Sequence, residues 1–166
     1  FTYAEKERPV EIVVVQPNID PYNMKFDLST ADDQLIHIMD LAKQKVTKNT
    51  DLILAPETAI SSPIYEGNVL TSREYRFLKQ KKVELFDTPI CIGASTLMDF
   101  EKKRSRASRP ISGGPGFREY YNTTMLIDDS DKVTFVHKSK LVPGVEAIPF
   151  SETFPFLEDI AIQNGG

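Results

Sequence analysis

The 166-residue chain is poor in the residues that build disulfides and metal sites, with a single cysteine and two histidines. The lone thiol of Cys91 excludes an intrachain disulfide, although this leaves the redox compartment open. His37 and His137 lie far apart in the sequence, so they give no zinc-ligand spacing together with Cys91. We therefore predict neither a metal nor a cofactor.

Long apolar runs and an excess of basic charge are missing as well. No stretch approaches the roughly 18 to 20 apolar residues that span a bilayer, and residues 1–9 are too charged for a signal peptide. The formal net charge of −4 argues against a nucleic-acid partner, because phosphate binding needs a basic face. We expect a soluble piece of a longer protein, since the first residue is not Met and 164–166 resembles a turn leading onward.

The composition that remains is typical of one compact domain, with 40% hydrophobic and 27% charged residues. The continuous apolar run 12–15 predicts a strand that is buried on both faces. Two β-rich segments flank residues 129–131 and predict a hairpin. Helices that alternate with buried strands indicate an α/β sheet with helices packed against it. Strands are predicted at 11–18, 51–55, 89–96, 120–128 and 132–137, and helices at 30–48 and 71–86.

A basic and then glycine-rich segment, residues 101–116, lies before the predicted hairpin. Its cationic residues are Lys102, Lys103, Arg104, Arg106 and Arg109. Two interpretations stay open: a solvated loop between strands, which is the commoner case, or a basic loop that faces anionic lipid headgroups. The Gly-Gly-Pro-Gly run at 113–116 is not a phosphate loop, because it lacks both the spacing and the lysine.

Three charged residues are candidates for catalysis. Glu57 follows the second predicted strand, at the end where α/β sheets place functional groups. Lys138 follows the last predicted strand, where a partly desolvated ammonium group could stabilise an oxyanion. Glu146 lies in a turn flanked by prolines. Taken alone, each is more often structural: Glu57 as a turn cap, and Lys138 and Glu146 as solvated surface charges.

Taken together, four segments resemble the nitrilase superfamily in their order and spacing. They read VVQPN at 14–18, LAPETA at 54–59, YNTTMLID at 121–128 and HKSKLVPGVEAIPF at 137–150. Glu57 matches the superfamily's glutamate. Lys138 rather than Lys140 matches its lysine, because Lys138 stands three places before Leu141, as in the family motif. The sequence after the lysine, with Glu146, is most similar to the apolipoprotein N-acyltransferase branch.

This resemblance implies an α-β-β-α sandwich with a Glu-Lys-Cys triad, of which residues 1–166 form the N-terminal portion, truncated before the nucleophilic cysteine. Glu57 would accept protons, Lys138 would stabilise the oxyanion, and Glu146 would orient Lys138 or assist proton transfer. Cys91 lies inside a predicted buried strand and is expected to be structural. Asn122 is expected to brace the sheet near the site.

By the same resemblance, the intact protein would transfer a fatty acyl chain from a phospholipid to the N-terminal diacylglyceryl-cysteine amine of an apolipoprotein, through a thioester. Its catalytic domain would lie on the periplasmic side of the bacterial inner membrane, attached through segments outside residues 1–166. The piece itself is expected to be inactive and, through exposed sheet edges, to form homo-oligomers. The alternatives are a soluble carbon-nitrogen hydrolase with the same triad and an inactive nitrilase-like module that binds a partner.

Overall fold

The computed structural model describes residues 9–18 and 31–140. Glu146, one of the three predicted site residues, lies outside these ranges. Within them, no helix combines the length and the apolar content needed to cross a bilayer.

The described residues form one mixed sheet. Its central strands are two long antiparallel partners, which pair over their whole length from Ile90–Ile127 to Phe100–Phe117. Parallel strands extend the sheet on one side and antiparallel strands on the other. The strands are β1 (Ile12–Val14), β2 (Leu52–Leu54), β3 (Ile60–Tyr65), β4 (Ile90–Phe100), β5 (Arg109–Pro110), β6 (Phe117–Ile127) and β7 (Thr134–His137). Their order in the sheet is β1-β2-β4-β6-β5, with β3 pairing β4 and β7 pairing β6.

Two helices, α1 (Ala31–Lys43) and α2 (Arg73–Glu84), contribute to the core, and a 3-10 helix (Glu66–Thr71) precedes α2. The side chain of Ser72 caps α2 by accepting a hydrogen bond from the Tyr75 amide. The apolar stripe of α1 supplies Ile38, Met39 and Ala42, which are buried among side chains of the central strands. The large apolar side chains with almost no exposure are Ile38, Met39, Ile53, Leu78, Ile90, Ile92, Met125 and Ile127.

The opposite face of the sheet is not covered by the described residues. Side chains alternate between the faces of a strand, so β1 directs Val13 toward the core but Ile12 and Val14 away from it. These two are 47% and 68% exposed, and Leu54 and Val136 are exposed as well. The prediction that β1 is buried on both faces is therefore wrong within the described residues. The expectation of self-association stays a prediction.

The α/β prediction is confirmed, including both helices and the β6–β7 hairpin. Strand β3 was not predicted, because its sequence ISSPIY is half polar and contains a proline. The structure accommodates it through an irregular register against β4 between Ile60 and Ile64. The predicted third strand is also longer than expected: β4 continues to Phe100 because β6 pairs with all of it.

Candidate active site

Glu57 lies in a tight turn between β2 and β3 that is packed directly against β4. The Gly93 amide donates a hydrogen bond to the Pro56 carbonyl oxygen over 3.1 Å. A side chain at position 93 could not fit, because a Cβ there would lie 2.6 Å from the Glu57 Cα. The next residue, Thr58, has a φ of 54°, which is costly for a β-branched residue. The turn therefore supports Glu57 closely, with the backbone strain at Thr58.

Lys138 directly follows β7 and is placed by its neighbour in the sheet. Its amide donates to the Asn122 carbonyl oxygen over 2.8 Å, continuing the β6–β7 ladder by one residue. Because side chains alternate along the strand, Lys138 points away from the core side on which His137 lies. The same alternation puts Asn122 on the Lys138 face.

The side chains of Glu57, Lys138 and Asn122 meet on the open face of the sheet. The Lys138 Nζ lies 3.2 Å from Glu57 Oε1, and the Asn122 Nδ2 donates a hydrogen bond to the same carboxylate oxygen. The two residues that were selected separately from the sequence are therefore direct neighbours in the structure. Glu57 is 54% exposed and Lys138 27% exposed, so the carboxylate is held by two donors and still open to an incoming group.

A cavity of about 490 Å³ opens beside this cluster, a volume in the range of small-molecule sites. Its lining combines apolar residues of β2, β4 and β7 with the charged groups. Its lining consists of Leu54, Ala55, Glu57, Cys91, Gly93, Asn122, Thr123, Thr124, Val136, His137, Lys138, Ser139 and Lys140. Among the described lining residues, Lys138 and Lys140 supply two cations and Glu57 one carboxylate.

Cys91 also lines this cavity and is only partly buried, in contrast to the fully buried position expected from its strand. The difference arises because Cys91 pairs with Leu54 in register and shares its uncovered face. Burial nevertheless raises the pKa of the Cys91 thiol above its usual value. A thiol with a raised pKa holds little thiolate at neutral pH and is a poor nucleophile.

Behind Lys138, on the core side of the sheet, lies a polar network that the sequence did not predict. The Glu66 carboxylate, whose side chain is 9% exposed, lies 2.7 Å from His137 Nε2 and accepts a hydrogen bond from Thr96 over 2.6 Å. The Thr96 hydroxyl is 2.6 Å from that of Thr123. The Tyr121 ring stacks on the His137 ring at a centroid distance of 4.1 Å. This network ties the end of β7 to the 3-10 helix.

A second buried carboxylate, Glu119, lies in β6, two residues before Tyr121. It accepts hydrogen bonds from the hydroxyl groups of Ser105, Ser108 and Tyr121. Those donors, with Ser108 the largest contributor, lower the pKa of Glu119. Burial, together with the neighbouring Glu119 carboxylate, raises the pKa of Tyr121 to about 12.

No cluster of histidine, cysteine and carboxylate side chains that could hold a metal ion occurs in the described ranges. Chemically, the Glu57 cluster offers a carboxylate that can accept a proton, with an ammonium group beside it that can stabilise negative charge. Asn122 adds a neutral donor that orients the carboxylate; the expectation that it braces the sheet stays a prediction. The chain pattern YYNTT was the signal for Asn122, whereas no local pattern marks Glu66.

Comparison with known proteins finds distant relatives of the chain among apolipoprotein N-acyltransferases. The enzyme of Chlorobaculum tepidum is 28% identical over 158 residues, which cover 95% of this chain and 29% of the relative. The enzyme of Aquifex aeolicus is 28% identical over 153 residues, covering 92% of this chain and 29% of the relative. The chain thus spans less than a third of the length of these relatives.

Among solved structures, a crystal structure of an N-terminal amidase with a Gln-Gly peptide matches with a TM-score of 0.46 and 15% identity. The match covers 80% of this chain and 28% of the amidase chain. No family model matches the sequence.

Proposed function

We propose that this chain forms part of the catalytic domain of an apolipoprotein N-acyltransferase, with Glu57 as the proton-transfer base and Lys138 as the oxyanion-stabilising group. The observation that carries the proposal is the 3.2 Å contact between Glu57 and Lys138 at the mouth of a cavity. Two groups that are 81 positions apart in sequence meet there, in a chain that aligns over most of its length with two such enzymes.

In the proposed reaction, a cysteine thiol outside residues 1–166 attacks the ester carbonyl carbon of a phospholipid. Glu57 takes the thiol proton as the carbon–sulfur bond forms, and the Lys138 ammonium stabilises the negative charge on the carbonyl oxygen. The ester carbon–oxygen bond then breaks, and Glu57 returns the proton to the departing alcohol. A thioester remains on the enzyme.

In the second half, the amine of the acceptor's N-terminal cysteine attacks the thioester carbonyl carbon. An amide bond forms, the carbon–sulfur bond breaks, and the proton lost by the amine passes through Glu57 to the thiolate. Asn122 keeps the Glu57 carboxylate oriented in both halves through its hydrogen bond. Glu146 is proposed to support Lys138. The reaction consumes no cofactor, because every proton and electron pair is exchanged among the two substrates, the cysteine and Glu57.

A transfer assay with the full gene product tests this proposal. A phospholipid with a labelled acyl chain and a diacylglyceryl-cysteine peptide are supplied, and the N-acylated peptide is measured by mass spectrometry. We expect Glu57→Gln to reduce the rate by about 10²- to 10⁴-fold and Lys138→Met by about 10²- to 10³-fold. The matched control is Lys140→Met, which removes a second lysine from the same cavity; its effect should be below about tenfold.

The products also separate this function from its rivals. Release of free fatty acid with no acylated peptide, or cleavage of a small amide in place of the ester, would favour the hydrolase. Full activity of the Glu57→Gln variant would refute the assignment of the base. A gene product with no cysteine nucleophile and no turnover would favour the inactive binding module. We further propose that the domain works on the periplasmic side of a bacterial inner membrane, which accessibility labelling of Lys140 in intact spheroplasts tests.

A further inference from the structure

Residues 101–109, which follow β4 and end at the first residue of β5, concentrate positive charge in an acidic protein. It carries five cationic side chains and one anionic side chain, Glu101, in a chain whose net charge is −4. All five cationic residues are exposed. We call residues 101–109 the basic loop. Its net charge of +4 leaves −8 on the rest of the chain.

The basic loop is folded around a buried anchor and is not a free charged tail. Ser108 is 4% exposed, and its Oγ accepts hydrogen bonds from the amides of Arg104 and Ser105, each over 3.0 Å. The same hydroxyl donates to Glu119, which also accepts from the Ser105 hydroxyl over 2.7 Å. The backbone is thereby fixed by a carboxylate inside the protein, and the cations around it are presented outward.

Most of these cations have no counter-ion within the described ranges. Elsewhere two arginines pair with carboxylates, Arg73 with Asp32 at 2.6 Å and Arg118 with Asp99 at 2.7 Å. In the basic loop, by contrast, Arg104 lies over the Phe100 ring at 4.5 Å. No ion pair in the described part of the chain involves the other four, which are Lys102, Lys103, Arg106 and Arg109.

We propose that the basic loop docks on the anionic headgroups of a membrane surface. A plane of negative charge can contact the end of one hairpin without lying along the rest of the chain. The net charge of −8 on the rest of the chain disfavours a long polyanion such as a nucleic acid, which it would repel. Each unpaired cation near an anionic bilayer contributes about 1 kcal/mol, so four suffice for measurable binding.

The position of the basic loop fits the proposed function. The inference rests on that function only where it treats phospholipid as the substrate. The loop begins after Phe100, and the site lies at Ser95, which pairs with Asn122. Five residues of extended strand span about 17 Å. A domain docked through the basic loop therefore keeps Glu57 within the length of one lipid molecule from the headgroup plane.

Vesicle co-sedimentation tests the proposal. The protein is mixed with vesicles of phosphatidylcholine alone, or of equal parts phosphatidylcholine and phosphatidylglycerol. We expect binding to the anionic vesicles only, weakened by salt. The variant K102Q/K103Q/R106Q should bind roughly a hundredfold more weakly. The matched control K43Q/K45Q/K48Q removes three exposed lysines near the end of α1 and should bind like the wild type.

Equal losses for the two triple variants, or equal binding to both vesicle types, would overturn the proposal. So would tight binding to duplex DNA without vesicle binding, which would identify a polyanion partner. All six residues are exposed, so both triple variants should fold like the wild type. Unfolding curves of both variants check this. The test is independent of the acyl transfer itself: vesicle binding can persist in Glu57→Gln, and transfer in detergent can persist in the basic-loop variant.

Discussion

Substitution of Gly93 by alanine should displace the turn that carries Glu57. The added Cβ would lie 2.6 Å from both the Glu57 Cα and the Pro56 carbonyl oxygen, and 2.7 Å from the Thr58 nitrogen. All three are backbone atoms, so no side chain can rotate away. Ordinary carbon contacts lie at about 3.5–4.0 Å, so the turn and β4 must separate by roughly 1 Å.

The cost in stability follows from this overlap. Overpacking of this kind typically costs about 1–3 kcal/mol, and weakening of the Gly93 to Pro56 hydrogen bond costs about 1 kcal/mol more. Alanine offsets about 0.4–1 kcal/mol of this by restricting the unfolded chain. We expect the free energy of unfolding to fall by about 1–3 kcal/mol net. Urea unfolding followed by circular dichroism measures it, since the chain has no tryptophan.

Gly114 provides the matched control, because a Cβ there would meet only Ile111 Cγ2, at 3.8 Å. Gly114→Ala should leave stability unchanged or raise it by up to about 1 kcal/mol. In the full gene product, Gly93→Ala should also lower acyl transfer by about 10²-fold, because a 1 Å displacement of the base suffices for that. Equal stability of the two variants, with the turn at 56–58 unmoved in a crystal structure, would refute the reasoning.

Three further predictions concern groups around the site. The raised pKa of Tyr121 means that its neutral phenol is favoured in the folded state, which adds stability below pH 10 that is lost as pH rises through about 12. The ultraviolet difference between wild type and Tyr121→Phe should therefore show a phenol that titrates near 12. A phenol that titrates near 10 would contradict this prediction. The raised pKa of Cys91 should make its alkylation at pH 8 slower than that of free cysteine, and an equal or faster rate would argue for an activated thiol. Glu66→Ala should lower the free energy of unfolding by about 2 kcal/mol or more, because the buried Thr96 hydroxyl loses its acceptor. The control is Glu101→Ala, on the exposed loop surface, which should change the free energy of unfolding by less than about 0.5 kcal/mol.

Local pattern was enough to predict much of the fold. The apolar stripe of α1, the short strand β2 and the turn between β6 and β7 all depend on neighbours within a few residues. The meeting of Glu57 and Lys138 was predictable from family-like segments, although neither residue alone indicated it. For the helix, the strand and the turn the information lay in one contiguous stretch of sequence, and for the pair it lay in the order and spacing of several stretches.

Features that depend on distant packing were missed. The Glu66 carboxylate joins His137 across 71 positions, and no spacing rule marks that pair. The exposure of Ile12 and Val14 was equally hidden, because an apolar run looks the same whether its second face is covered or not. Strand β3 is held mainly by β4, which overrides the weak strand preference of its own residues.

The most direct test of the central claim is to locate the acyl-enzyme bond. The full gene product is incubated with a phospholipid bearing a labelled acyl chain and no acceptor, and the labelled peptide is identified by mass spectrometry. We predict a hydroxylamine-sensitive thioester on a cysteine outside residues 1–166, retained in Cys91→Ala and lost in Glu57→Gln and Lys138→Met. A thioester on Cys91, or one that forms undiminished without Glu57 and Lys138, would contradict it.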